Sequence, residues 1–225
     1  GSGLGIGFEF VNNLKWAPEG TLGYETLFEE IAVSVTGEKG NYVFEGDLDG
    51  SDNWEYICSV DPEGSKIAEV NYPAFYFANN YVDIANLNGS MFTEDWYLPS
   101  VKELYDCNIN YSIILKAFKK VSDISDLGWF WSSSPSASSF YSGLAYQVIF
   151  YDGGVNYTYK DLINTVFVLQ ALLPKITSVN LDRTHLDSIM TNRDIDVTIR
   201  GINFDFLSSL LVQVTDGTTS QTPVT

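Results

Sequence analysis

Asp95-Trp96-Tyr97-Leu98-Pro99-Ser100-Val101-Lys102-Glu103-Leu104 is the stretch from which the fold is read. The Leu98-Pro99 step turns the chain into a helix. Ser100 is a good N-cap, and Glu103, three residues on, completes a capping box. Val101, Leu104 and Tyr105 then form an apolar stripe along that helix. Upstream, Pro73 to Ala85 reads as another helix: Pro73 suits a first turn, and Phe77, Tyr81 and Ile84 recur at intervals of four and three. Downstream, Tyr111 to Val121 reads as a shorter third helix that carries Lys116, Lys119 and Lys120 outward.

From Gly128 the pattern changes to strands. Trp129-Phe130-Trp131-Ser132-Ser133-Ser134 reads as a strand start followed by a Ser-rich loop to Ser139. Ala145 to Tyr151 reads as a strand, Asp152-Gly153-Gly154 as a hairpin turn, Val155 to Lys160 as the return, and Thr165 to Leu172 as a third strand. Helices followed by a meander give an α+β class rather than a doubly wound sheet. Trp96, Leu98, Trp129 and Trp131 are expected to pack the core between helix and sheet. The first 70 residues are loop-rich, with short strands at Leu4–Phe10 and Ile31–Thr36 and a loop from Gly46 to Trp54. Pro174 marks a boundary, so a first domain is expected over 1–173. Beyond it, Ile195, Val197 and Ile199 alternate with Asp196, Thr198 and Arg200, as in a sandwich strand. The remaining segment, 174–225, is short for a whole sandwich and is expected to be a partial all-β module.

Composition narrows the function. The 225 residues are 45% hydrophobic and 18% charged, which excludes a disordered chain. The net charge of −17 opposes nucleic acid and anionic membranes as partners, since binding phosphate needs a basic surface. One histidine, His185, removes His-rich metal sites and the usual Ser-His-Asp triad from the first 184 residues. Cys58 and Cys107 lack CxxC spacing, which leaves one disulfide or two buried thiols. No apolar run is long enough to insert a helix across a membrane.

Two groups of residues carry candidate sites. In the acidic loop, Asp47, Asp49, Ser51 and Asn53 alternate oxygen ligands of the kind calcium takes. Gly50 at the fourth place and Cys58 at the twelfth exclude an EF-hand, which leaves a looser calcium loop or a solvated acidic turn; no other cofactor is indicated. Between Ser132 and Asp161 the chain supplies Phe140, Tyr141, Tyr146, Tyr151, Asn156, Tyr157 and Tyr159 among many Ser and Gly. That is the composition of binding loops, with rigid amphipathic rings beside adaptable hydrogen-bonding groups. Asn156 with Thr158 and Tyr157 with Tyr159 fall on opposite faces of their strand, so one set is expected in the core and the other exposed. The ligand-binding candidates are Phe140, Tyr141, Tyr151, Asn156, Tyr157 and Tyr159.

The 95–104 stretch resembles the "DWRLPTxxEL" signature of the Legionella collagen-like protein C-terminal domain family, also seen in Fibrobacter paralogous surface domains. Trp131-Ser132-Ser133-Ser134, followed by a strand, a Gly turn and a closing strand, is similar to that family's "YWSSS…F..G" ending. Tyr97 stands where arginine is common. The resemblance covers roughly residues 4 to 173 and implies a C-type-lectin-like fold. Pro174-Lys175-Ile176-Thr177-Ser178-Val179 and Asp196-Val197-Thr198-Ile199-Arg200-Gly201-Ile202-Asn203-Phe204 look like the opening of an immunoglobulin-like IPT/TIG module. Together they imply an exported bacterial protein, outside the cell or at its surface. It is expected to be non-catalytic and adhesin-like, with a glycan or protein as its ligand. The alternatives are an architectural spacer and a remote relative of formylglycine-generating enzymes, which act through paired cysteines.

Overall fold

Residues 3–120, 128–137, 141–172, 175–181 and 197–202 are described by the computed structural model. The architecture is mixed α+β. In chain order its first half holds β1 (Gly3–Ile6), β2 (Val11–Lys15), α1 (Leu22–Glu25), β3 (Val33–Thr36), β4 (Val43–Gly46), α2 (Asn53–Val60), α3 (Ala68–Asn71), α4 (Pro73–Asn79) and α5 (Tyr81–Ile84). Then follow β5 (Trp96–Tyr97), α6 (Val101–Ile109), α7 (Tyr111–Phe118), β6 (Trp129–Pro135), β7 (Leu144–Ile149), β8 (Gly154–Tyr159), β9 (Ile163–Val166) and β10 (Leu169–Leu172). β11 (Lys175–Leu181) and β12 (Val197–Ile202) close the series. The chain divides into two units, residues 5–170 and residues 1–4 with 171–225. In the second, β11 and β12 pair antiparallel, from Lys175 opposite Ile202 to Leu181 opposite Val197.

A five-stranded sheet in the order β2-β9-β6-β7-β8 organises the first unit. Its central strand β6 is buried from Phe130 to Pro135, and β7 is buried throughout. Successive side chains of a strand point to opposite faces, and here both faces are covered. On one face Trp131 joins Trp16, Phe75, Tyr81 and Val166 in the main core. On the other, Phe130 meets Phe150 at 4.8 Å and Phe167 at 5.7 Å, and Phe10 packs on Phe118 at 4.9 Å. Edge-to-face contacts of this kind add to the burial of ring area. β5 pairs with β10, Tyr97 opposite Leu169, and leads directly into α6.

The helix after Pro99 forms as its sequence predicts. Ser100 Oγ accepts from Glu103 N–H at 3.2 Å and the Glu103 carboxylate accepts from Ser100 N–H at 2.9 Å, a complete capping box. The serines after Trp131 complete its surroundings. Val101 N–H donates to Ser134 Oγ at 3.0 Å, and Ser133 N–H donates to the Pro99 carbonyl at 2.7 Å. The serine run and the Leu-Pro-Ser turn are therefore one contact: buried hydroxyls satisfy the helix's first free N–H groups.

Several expected elements differ. Strand β6 holds Ser132–Ser134 and runs on to Pro135, because each serine hydroxyl has a partner that tolerates its burial. The Pro73–Ala85 helix is two helices, broken at Asn80, whose side chain caps the Tyr76 carbonyl at 2.8 Å. The Thr165–Leu172 strand is β9 and β10, in different sheets, with Phe167 and Val168 buried between them. The third strand of the meander is not next to β8: β9 crosses back to lie between β2 and β6. The Leu4–Phe10 strand ends at Ile6, and Gly7 beyond it lies so close to Tyr81 and Val168 that a Cβ would fall 2.4 Å from Val168 Cγ2. The Ile31–Thr36 strand starts at Val33, after a 3₁₀ turn. Trp131 and Leu98 are in the core as expected, but Trp96 is half-buried and Trp129, at the mouth of β6, is exposed.

Candidate functional site

The tyrosine-rich candidates gather on the β7–β8 hairpin and its turn. β8 pairs with β7 in regular register, Tyr159 opposite Leu144 and Tyr157 opposite Tyr146. The turn is fixed by Asp152, whose Oδ1 accepts from Gly154 N–H at 2.7 Å, and by Gly153 at φ +76. Lys39 Nζ lies 3.6 Å from Asp152 Oδ2, which holds the β3–β4 hairpin loop beside the turn.

β8 is the outer strand of its sheet, and this decides which of its side chains are exposed. Tyr157 and Tyr159 are 46% and 52% exposed, Tyr151 in the turn is 52% exposed, and Tyr141 before β7 is 71% exposed. Asn156, on the opposite face, is exposed as well. The expected division of β8 into one core face and one solvent face therefore does not hold: an edge strand wraps too little of the core to bury either. Tyr157 rests edge-on against buried Tyr146, centroids 5.9 Å apart, so its ring is oriented from beneath while its rim meets solvent. Phe140 lies outside the described residues.

Tyr24, on α1, joins this edge. Its hydroxyl titrates above the ordinary tyrosine range because of burial, then the Asp161 and Glu19 carboxylates, with Tyr159 also nearby. The placement comes from Gly143, where a Cβ would fall 2.8 Å from the Tyr24 ring. Sequence reading passes over Tyr24, more than a hundred residues from the hairpin.

The outward backbone of β8 is occupied at two rungs. Val155 N–H donates to the Tyr42 hydroxyl at 3.3 Å, and Tyr157 N–H donates to Asn156 Oδ1 at 2.9 Å. The edge thus offers side chains while its ladder groups at these positions already have partners.

Lys160 ends the hairpin inside the molecule. It is fully buried, and its Nζ donates to the Gly23 carbonyl at 2.9 Å and the Thr26 carbonyl at 2.6 Å. The ammonium stands 4.5 Å from the Trp16 ring centroid and 5.2 Å from that of Phe28. Burial pushes it down to about 7.

The acidic loop has a different setting. Asp47 Oδ1 accepts from Asp49 N–H, and Asp49 Oδ1 from Ser51 N–H. Gly50 N–H donates to Glu103 and the Leu48 carbonyl accepts from Ser100 Oγ, so the loop is fastened to the capping box of α6. Asn53 is fully buried and its Nδ2 donates to Ser133 Oγ at 2.7 Å. Asp47 and Asn53 come together: burial raises the Asp47 carboxyl, and the Asn53 amide beside it works in the opposite direction. Asp49, like Asp47, accepts from the loop's own backbone. Among the described residues no group of three His, Cys, Asp or Glu side chains is placed to hold a metal ion. Glu103, which accepts from Gly50, Ser100 and Tyr97, is raised chiefly by burial.

Cys58 on α2 and Cys107 on α6 are free thiols. Burial pushes Cys107 up to about 12 and raises Cys58 as well, which suppresses the thiolate that nucleophilic chemistry requires. No helix among the described residues is long and apolar enough to cross a membrane. Compared with family models, curated proteins and solved structures, the chain matches none of them.

Proposed function

We propose that the 5–170 unit is a non-catalytic recognition domain of C-type-lectin-like fold, followed by an immunoglobulin-like segment, and that it acts outside a bacterial cell or on its surface. Its ligand is a glycan or a protein, met by the tyrosine edge of β8. The observation that carries this reading is the exposure of Tyr151, Tyr157 and Tyr159 along one ordered hairpin, with Tyr141 close by in sequence. Tyrosine rings offer large contact area with few rotatable bonds, and their hydroxyls pair with polar ligand groups. Burying such rings costs little side-chain entropy on binding. The occupied rungs of β8 favour recognition by side chains over addition of a ligand strand. The raised thiols speak against a cysteine enzyme.

The test is binding of the whole chain to neutral and charged glycans and to extracellular matrix proteins, with and without calcium. A saturable partner should be found, and Tyr157→Ser or Tyr159→Ser should weaken it by about tenfold or more, about 1.4 kcal/mol or more. Both side chains are half in solvent, so the unfolding midpoint should hardly move. No saturable partner across the panel would leave the domain an architectural spacer.

A further inference from the structure

A cleft of about 430 Å³ opens beside α2, α3 and α4, and nothing in the tyrosine edge contributes to it. Its volume lies within the range of small-ligand sites. Trp54 and Tyr76 supply aromatic surface, Asn79, Asn80 and Glu69 supply hydrogen-bonding groups, and Cys58 lines the same space.

Trp54 is a preset platform. One ring face stacks on Phe75 at 5.5 Å and 24°, and Tyr72 meets it edge-on at 5.6 Å. Both supports are buried core residues, so the indole is held in place before any ligand arrives. Tyr76 follows Tyr72 by one turn of α4 and is 36% exposed. Asn80 spends one N–H on the Tyr76 carbonyl, which leaves its other amide groups to serve a ligand. Ile67 and Val70, both well exposed, line the cleft with apolar surface in a chain that otherwise displays many carboxylates.

The charges restrict what can enter. Lys66 is the cation lining the cleft, and its ammonium is already paired with Glu63. Glu69 adds a carboxylate, and the chain carries a net charge of −17. A sulfate, phosphate or carboxylate ligand would meet repulsion there. The remaining chemistry is an apolar ring face beside amides and a carboxylate. A neutral pyranose has the complementary form: C–H groups on one face for the indole, hydroxyls around the rim for the amides and the acid.

We propose that this cleft is a binding site for a neutral pyranose sugar, stacked on Trp54 and hydrogen-bonded by Asn79, Asn80 and Glu69. The site is independent of the tyrosine edge and stands or falls without it.

Cys58 makes the test direct. In the whole chain, alkylation of Cys58 by iodoacetamide is followed by peptide mass spectrometry at mildly alkaline pH. Cys107, more deeply buried and pushed up to about 12, is the internal control. Glucose, galactose, mannose and N-acetylglucosamine are the probes, with N-acetylneuraminic acid as the charged comparison. At least one neutral sugar should slow Cys58 modification about threefold or more, saturating at millimolar concentration, while the Cys107 rate stays constant. Glu69→Ala and Asn79→Ala, both at exposed positions, should abolish protection without moving the unfolding midpoint. Tyr157→Ser should leave protection intact, which separates this site from the edge. The proposal is overturned if no neutral sugar protects, if N-acetylneuraminic acid protects equally, or if protection survives both substitutions.

Discussion

Lys160 is buried with backbone carbonyls and ring faces as its neighbours, an arrangement that favours its charge, whereas burial opposes it. Burial wins: the group sits at about 7, against about 10.4 for a lysine in water. Between those values the folded chain binds fewer protons than the unfolded one, so stability rises with pH across that window. The penalty is fully present below about pH 7 and is relieved as pH rises toward about 10. Cys58 and Cys107 above about pH 8.5, where unfolded thiols ionise, and Tyr72 and Tyr97 above about pH 10, all raised mainly by burial, act in the opposite direction. Urea unfolding between about pH 7 and about pH 8, below the ionisation of unfolded thiols, should therefore show stability climbing, and Lys160→Met should flatten that slope. Methionine keeps the packing against Trp16 and Phe28 but leaves the Gly23 and Thr26 carbonyls without their donor, so the variant should also be about 1–3 kcal/mol less stable above pH 9. An unchanged slope would mean that another group governs the window.

At the scale of the element, α6 is the best-specified piece of the fold. Ser100 is fully buried, accepts from Glu103 N–H and donates to the Leu48 carbonyl, so it joins the helix start to the acidic loop. Ser100→Ala should lower stability by about 2 kcal/mol, the upper end for a lost cap, because the Leu48 carbonyl loses its donor as well. A loss within experimental error in chemical denaturation would contradict this. The capping box was legible because its partners are three residues apart, and the Asp152-Gly153 turn because local chemistry dictates it. Strand β2 and helix α2 were not legible. β2, Val11-Asn12-Asn13-Leu14-Lys15, is held by pairing with β9 some 150 residues later, and Asn13 within it has a positive φ. α2 follows directly on turn-forming residues, and its Asn53 is buried by Ser133, a contact no periodicity announces. The candidate site was legible in composition but not in exposure. Whether Tyr157 faces water depends on β8 being outermost, and that follows from β9 crossing to the far side of β6.

For the molecule as a whole, charge acts mainly as self-repulsion. Three ion pairs occur among the described residues, Lys39–Asp152, Lys66–Glu63 and Lys102–Asp106, and each has both partners substantially exposed. Pairs of that kind contribute little. Against them stands a net charge of −17. Raising sodium chloride from about 0.01 M to about 0.5 M shortens the Debye length from about 30 Å to about 4 Å and should raise Tm by several degrees. A fall in Tm would show that the three pairs outweigh the repulsion.

The two occupied rungs of β8 have a consequence over generations of sequence change. The strand is held by its register with β7, by the Asp152-Gly153 turn, and by Tyr42 and Asn156 at its outer rungs. None of these depends on the rings at 157 and 159. Mutation can therefore rewrite those two positions while the scaffold, and its protection against strand-to-strand sticking, is inherited unchanged.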